Sequence, residues 1–133
     1  MTINTISNTL YGSAQVQTTG NSWVTALQVY FGGQGQPAAF LSAVKVLCLN
    51  TNTGDCAVWS QPVAAQCASD SARLAGLSLP DLQVLKKDLA LALVDIRIQF
   101  DGPYMNIDIK GKSSTTLEWF VQHTAEAGIG YQA

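Results

Sequence analysis

The first 44 residues contain no Asp, Glu, Lys, Arg or His, and the first charged side chain is Lys45. Across all 133 residues only 12% are charged: seven Lys or Arg and nine Asp or Glu, with a single His besides. Soluble domains usually carry about 25%. Each scarcity excludes something. Seven scattered bases and a net charge of -2 cannot build the dense phosphate-facing patch that a nucleic-acid partner requires. One histidine and no Cys-x-x-Cys leave a structural zinc site without ligands, so no metal or cofactor is expected. The longest apolar run, Leu89 to Val94, falls well short of the roughly 18–20 residues of a membrane helix. The N-terminal MTINTISNTL has neither a basic start nor an apolar core, so it is no signal peptide. Cytoplasmic localisation is the default, with virion incorporation or non-classical export left open. No Asn-x-Ser/Thr sequon occurs.

Hydrophobic residues make up 47%, which is the composition of a packed domain and not of a disordered chain. One domain spanning 1–133 is expected from the length. Tyr11 to Thr18 alternates small or apolar with polar residues, as a strand does. Ser22 to Phe31 is rich in Trp, Val, Thr and Tyr and reads as a second strand. It is apolar on both sides: Trp23, Leu27, Val29 and Phe31 against Val24, Ala26 and Tyr30. A central or doubly covered strand would explain that pattern. Ser42 to Leu49, the loop NTNTGD and Cys56 to Trp59 read as a hairpin.

The pattern then turns helical. Pro62 to Ala75 is Ala-rich and stops at Gly76. From Ser78 to about Leu93, Leu82, Leu85, Leu89 and Leu93 form one stripe at helical spacing, with Val84 and Leu91 nearly opposite. VDIRIQF (94–100) and MNIDIK (105–110) alternate strictly around DGPY. That loop pairs Phe100 with Met105, Ile98 with Ile107 and Ile96 with Ile109. The other face then pairs Arg97 with Asp108 and Asp95 with Lys110, opposite charges in both cases. Thr115 and Glu118 have capping-box spacing, which opens a last helix ending at Gly128. The expected fold is therefore α+β: an N-terminal antiparallel β-meander, two central helices, a β-hairpin and a C-terminal helix.

Phe31 to Gln36 reads FGGQGQ and resembles the Gly-Gln-Gly stretch near the start of acyltransferase domains that load malonyl or acyl groups. Those domains use a nucleophilic serine in a Gly-x-Ser-x-Gly elbow with a partner histidine. This chain has no such elbow, so no acyl transfer is expected. A phosphate-binding Walker loop needs a lysine that residues 1–44 lack. Gly33 and Gly35 have the first spacing of a dinucleotide fingerprint, but Ala38 follows, and Pro37 leads into β-rich residues rather than a helix. The stretch reads as a turn. Asp55, Asp70 and Asp101 suit turns and caps. Cys67 and His123 make a nucleophile–base pair only if the fold joins them. Cys48 and Cys56 flank the NTNTGD loop and suit a disulfide if they stand directly opposite, whereas a shift of one residue parts them. Three reduced thiols are the expectation.

The candidate interaction surface is Trp23, Tyr30, Val84, Leu91, Trp119 and His123. Trp119 and His123 are neighbours at i and i+4 on the outer face of the expected last helix. The first functional reading is a non-catalytic structural or assembly protein, homo-oligomeric through its charge-free N-terminal third, such as a phage or virion component. Strand edges without charge are poorly protected against pairing with another chain. The second is a small ligand- or carbohydrate-binding module using Trp23, Tyr30, Trp59, Gln34 and Asn52. The third is a small enzyme of unspecified reaction.

Overall fold

A computed structural model describes residues 2–5, 11–30, 38–67, 74–78, 83–101 and 104–132. The strands are β1 (Thr2–Thr5), β2 (Tyr11–Thr18), β3 (Trp23–Tyr30), β4 (Ala38–Leu49), β5 (Cys56–Cys67), β6 (Leu74–Ser78), β7 (Val84–Lys87), β8 (Asp95–Asp101), β9 (Tyr104–Lys110) and β10 (Leu117–Gln132). Among the described residues the only helical piece is a 3-10 turn at Leu89–Leu91. All pairings are antiparallel.

Seven strands form one sheet and three form another. In the larger sheet β10 and β4 run side by side, with β5 beyond β4. The far flank of β10 is shared by β2 and β1, and the far flank of β5 by β7 and β6. The smaller sheet is ordered β3-β9-β8. Alternate residues of β4, β5, β8, β9 and β10 enter one shared core. Val44, Val46, Trp59 and Val121 from the larger sheet meet Ile96, Met105, Ile107 and Ile109 from the smaller. Burying each such side chain contributes about 1.5–3 kcal/mol, and the layers form a β-sandwich.

The helices expected at 62–75, 80–93 and 115–127 are not formed. Residues 62–67 continue β5, and β4 pairs with this strand along its whole length. Burial there alternates strictly, with Val63 and Ala65 inside and Ala64 and Gln66 outside. Ladder hydrogen bonds and two-residue periodicity override the helix preference of alanine. Pro62 sits in the strand without loss. The Ser60 amide donates to the Gln83 carbonyl on the β7 side at 3.2 Å. Two residues on, the donor-less Pro62 nitrogen faces the same side, in the gap between the stretches that β7 and β6 occupy. Proline is tolerated where no ladder donor is required. Ser78 ends β6, and Leu79 to Leu82 lie outside the described residues. Residues 68–73 lie outside them too. Val84 to Lys87 pair with β5 instead of coiling. The last segment is a strand of 16 residues flanked on both sides. It follows a turn in which Ser114 takes φ 54. Thr115 bonds to the Ser113 carbonyl rather than capping a helix.

The N-terminal strands form no meander. β2 lies at the edge of the larger sheet and β3 at the edge of the smaller, and they pair with β10 and β9 rather than each other. Gly111 allows the turn between them to close over β9. A Cβ there would stand 2.5 Å from Thr18 Oγ1 and 2.6 Å from the Gly20 carbonyl oxygen. β3 is an edge strand and not a central one. Its two-faced apolar pattern comes from a bulge between Thr25 and Leu27. The extra residue, Ala26, reverses the side-chain alternation. Trp23 and Tyr30, of opposite parity in the sequence, therefore face the same way.

The two hairpins formed as the sequence reading expected. In β8–β9, Phe100 pairs with Met105, Ile98 with Ile107, Ile96 with Ile109, Arg97 with Asp108 and Asp95 with Lys110. In β4–β5, the loop is closed by the Gly54 amide donating to the Asn50 carbonyl at 2.8 Å, and Gly54 takes the φ of 81 that the turn requires.

Candidate functional site

The candidate surface residues separate into three settings. Trp119 and His123 share a face, as expected, but that face is the interior. Positions i and i+4 coincide on a strand as they do on a helix. Trp119 Nε1 donates to Thr18 Oγ1 at 2.8 Å, and the ring stacks on Trp59. Leu91 is also buried, projecting into the core from the 3-10 turn. Tyr30 and Val84 are exposed and Trp23 is half-buried. Of the residues named for a carbohydrate site, Trp59 lies in the core, Asn52 is in the β4–β5 loop and Gln34 lies outside the described residues.

Cys48 pairs with Ala57, and Cys56 with Leu49. That one-residue offset sends the two thiols to opposite faces, and both are free. Burial, with a smaller contribution from Cys56, pushes the Cys48 thiol up to about 12. Cys67 and His123 form no described contact, because the Cys67 side chain lies outside the described residues. Among the described residues no three His, Cys, Asp or Glu side chains cluster to hold a metal ion.

The outer face of the larger sheet carries an apolar patch. Leu41, Leu47 and Leu49 of β4 are 48%, 46% and 43% exposed. Phe120 of β10 stands opposite Leu47, and Val58 of β5 stands on its other side. An open depression of about 390 Å³ is lined by Gln15, Leu47, Leu49, Glu118, Trp119 and Phe120. Among the described outward residues of β2, β10, β4 and β5, Lys45 is the one cation and Glu118 the one anion. Gln17 Nε2 donates to Glu118 Oε1 at 2.7 Å. At the other end Gln122 Nε2 donates to the Tyr11 hydroxyl, which with a bond from Ser13 holds that phenol below its ordinary range.

The outer face of the smaller sheet is different in kind. Tyr30 and Tyr104 pack with ring centroids 5.2 Å apart. The next row holds Gln28, Asn106 and Gln99, with Gln28 Nε2 donating to Asn106 Oδ1 at 2.9 Å. Beyond it Asp108 accepts from Thr25 Oγ1 at 2.7 Å and from Arg97 Nε at 2.8 Å. The Arg97 guanidinium lies 4.3 Å from the centroid of the Trp23 ring. The hairpin register places Tyr104, Asn106 and Gln99 on this face. Gln28 and Tyr30 join them through the bulge in β3, which alternation alone does not reveal.

The edges differ as well. β7 and β8 carry Lys86, Lys87, Asp95, Arg97 and Asp101, whereas β2 and β3 carry no charge. Among the described residues no strand pairs with the second edge of β2 or β3. Lys86 bonds Asp88, and this bond, with a second from the Cys56 amide, holds the Asp88 carboxyl below its usual range.

Fold and faces together define a two-sheet antiparallel β-sandwich with an apolar patch on one outer face and a polar and aromatic surface on the other. No family model matches the chain, and no curated protein matches it. Among solved structures it is similar to the tailspike protein of Acinetobacter baumannii phage AM24, at 10% identity and a TM-score of 0.46. That similarity covers 92% of this chain, which spans only 26% of the tailspike. No helix among the described residues is long and apolar enough to cross a membrane.

Proposed function

We propose that the protein is a non-catalytic structural component that assembles with copies of itself through the outer face of its seven-stranded sheet. The observation that carries this reading is the patch of Leu47 and Leu49 beside Phe120 and Val58, with Leu41 further along β4 beyond Ala43 and Lys45. Contiguous exposed apolar side chains of this kind mark interaction surfaces. A second copy is the occupant that fits. Among the described outward residues of β2, β10, β4 and β5, Lys45 and Glu118 give one charge of each sign, and Lys86 of β7 lies beside Val58 at the rim. A two-fold pairing whose axis bisects the line between them brings Lys45 of one copy against Glu118 of the other. The charge-free N-terminal third contributes β2 and the start of β4 to this face, whereas β3 belongs to the opposite side of the sandwich.

Light scattering after size exclusion tests the reading. The wild-type chain is expected to exceed the monomer mass and Leu47→Glu to run as a monomer. Lys45→Glu alone weakens association, and Lys45→Glu with Glu118→Lys restores it. A wild-type chain that stays monomeric at high concentration overturns the proposal. The setting we attach to it is a phage or virion particle. The tailspike likeness, at a TM-score of 0.46, adds no weight to that setting. Mass spectrometry of purified particles for peptides of this chain tests it.

A further inference from the structure

We infer that the outer face of the three-stranded sheet is a binding platform for a neutral oligosaccharide chain. This surface lies across the sandwich from the assembly face. Its chemistry is read row by row along β9, whose seven residues extend about 20 Å at roughly 3.4 Å each.

Tyr30 and Tyr104 form one end. Tyr30 is 45% exposed, and its ring is propped against Tyr104 at 5.2 Å. A rigid tyrosine pair offers apolar ring surface to the C–H faces of a sugar and hydroxyls to its edge, at low cost in side-chain entropy. The amides of Gln28, Asn106 and Gln99 occupy the next row. Each amide has two donors and an acceptor oxygen, which is the complement that vicinal hydroxyls need. The Gln28–Asn106 bond orients two of these groups before a ligand arrives, which reduces the ordering cost of binding.

The charges of this face argue for a neutral ligand. Arg97 is held by Asp108 and lies over Trp23. Lys110 stands opposite Asp95 in the ladder and also approaches the Trp23 ring. Both cations of this face stand close to a carboxylate in the ladder and to the Trp23 ring, and Asp101 adds a negative charge beside the tyrosines. Beside these charges the face offers aromatic surface and amide hydrogen bonding. The β3 bulge is the device that assembles it, since only the reversal at Ala26 brings Trp23 and Tyr30 to one side. Bulges that re-aim side chains in this way are over-represented next to functional sites.

Native electrophoresis in gels containing soluble galactomannan, xyloglucan or dextran, with alginate as the acidic control, tests the inference. Retardation is expected in at least one neutral gel and not in alginate. Tyr30→Ala with Tyr104→Ala should lower the affinity about tenfold or more, equivalent to about 1.4 kcal/mol. Gln28→Ala and Asn106→Ala, milder changes at surface amides, should each lower it several-fold with the circular dichroism unchanged. Leu47→Glu on the assembly face should leave it intact, which separates this site from the oligomeric state. Trp23 provides a built-in reporter: its emission should shift on titration with the retarding polysaccharide, and the shift should vanish in Trp23→Phe. Absence of retardation in all three neutral gels overturns the inference. So does retardation by alginate alone, or unchanged affinity in the amide variants.

Discussion

Trp59 of β5 and Trp119 of β10 stack over the strand between them, with ring centroids 6.0 Å apart and planes 15° from parallel. Their ladder neighbours on that strand are Val46 and Cys48, small enough to leave room for both rings. Replacing Trp119 with Ala should cost about 3–5 kcal/mol, the range for a large aromatic lost from a packed core. Thr18→Val should cost about 1–3 kcal/mol, because it leaves the buried indole N–H without its acceptor. Urea denaturation of the two variants measures both.

The leucines of the 3-10 turn and its flanks should behave oppositely to a helical stripe. Leu85, Leu89 and Leu93 are 64%, 90% and 79% exposed, while Leu91 is buried. Leu89→Ser and Leu93→Ser should change stability by no more than about 0.5 kcal/mol. Leu91→Ala should cost about 2–5 kcal/mol. Thermal unfolding of the three variants distinguishes the arrangement from a helix with Leu85, Leu89 and Leu93 inward.

The two described thiols should differ in reactivity. With its thiol pushed up to about 12, Cys48 carries roughly one thiolate in ten thousand at pH 8. Peptide mapping after N-ethylmaleimide should find Cys56 labelled in the native protein and Cys48 only after denaturation. The linkage has a definite sign. The folded state keeps the Cys48 proton to higher pH than the unfolded state does, so stability falls as pH rises from about 9 towards 12. Cys48→Ala should flatten that part of the curve.

Asp108 is a shared acceptor for Thr25 and Arg97. Its side chain is 6% exposed and that of Arg97 39%, so solvent screens the pair from one side. Asp108→Asn should cost about 1–2 kcal/mol, since one carboxylate oxygen becomes a donor facing a donor. A double-mutant cycle with Arg97→Gln should give a coupling of about 0.5–3 kcal/mol.

Parts of this fold are plain in the sequence and parts are not. The β8–β9 hairpin is legible because two independent signals, alternation of Ile and matching of charge signs, select the same register. The segments read as helices carry an ambiguous signal. Trp119 and His123 fall on one face under either period, and alanines between 62 and 75 favour a helix only when no ladder competes. Leu85, Leu89 and Leu93 mimic a buried stripe, yet the chain leaves them outside because Val84 to Lys87 pair with the edge of β5.

By itself the sequence determined the strands from Tyr11 to Leu49, the NTNTGD turn, the β8–β9 register and the absence of charge before Lys45, since each depends on neighbours close along the chain. The tertiary structure alone decided that β10 is a strand, that β2 and β3 belong to different sheets, and that Trp23 and Tyr30 share a face. Those outcomes depend on hydrogen bonds between residues far apart in sequence and on one bulge, and local periodicity contains neither.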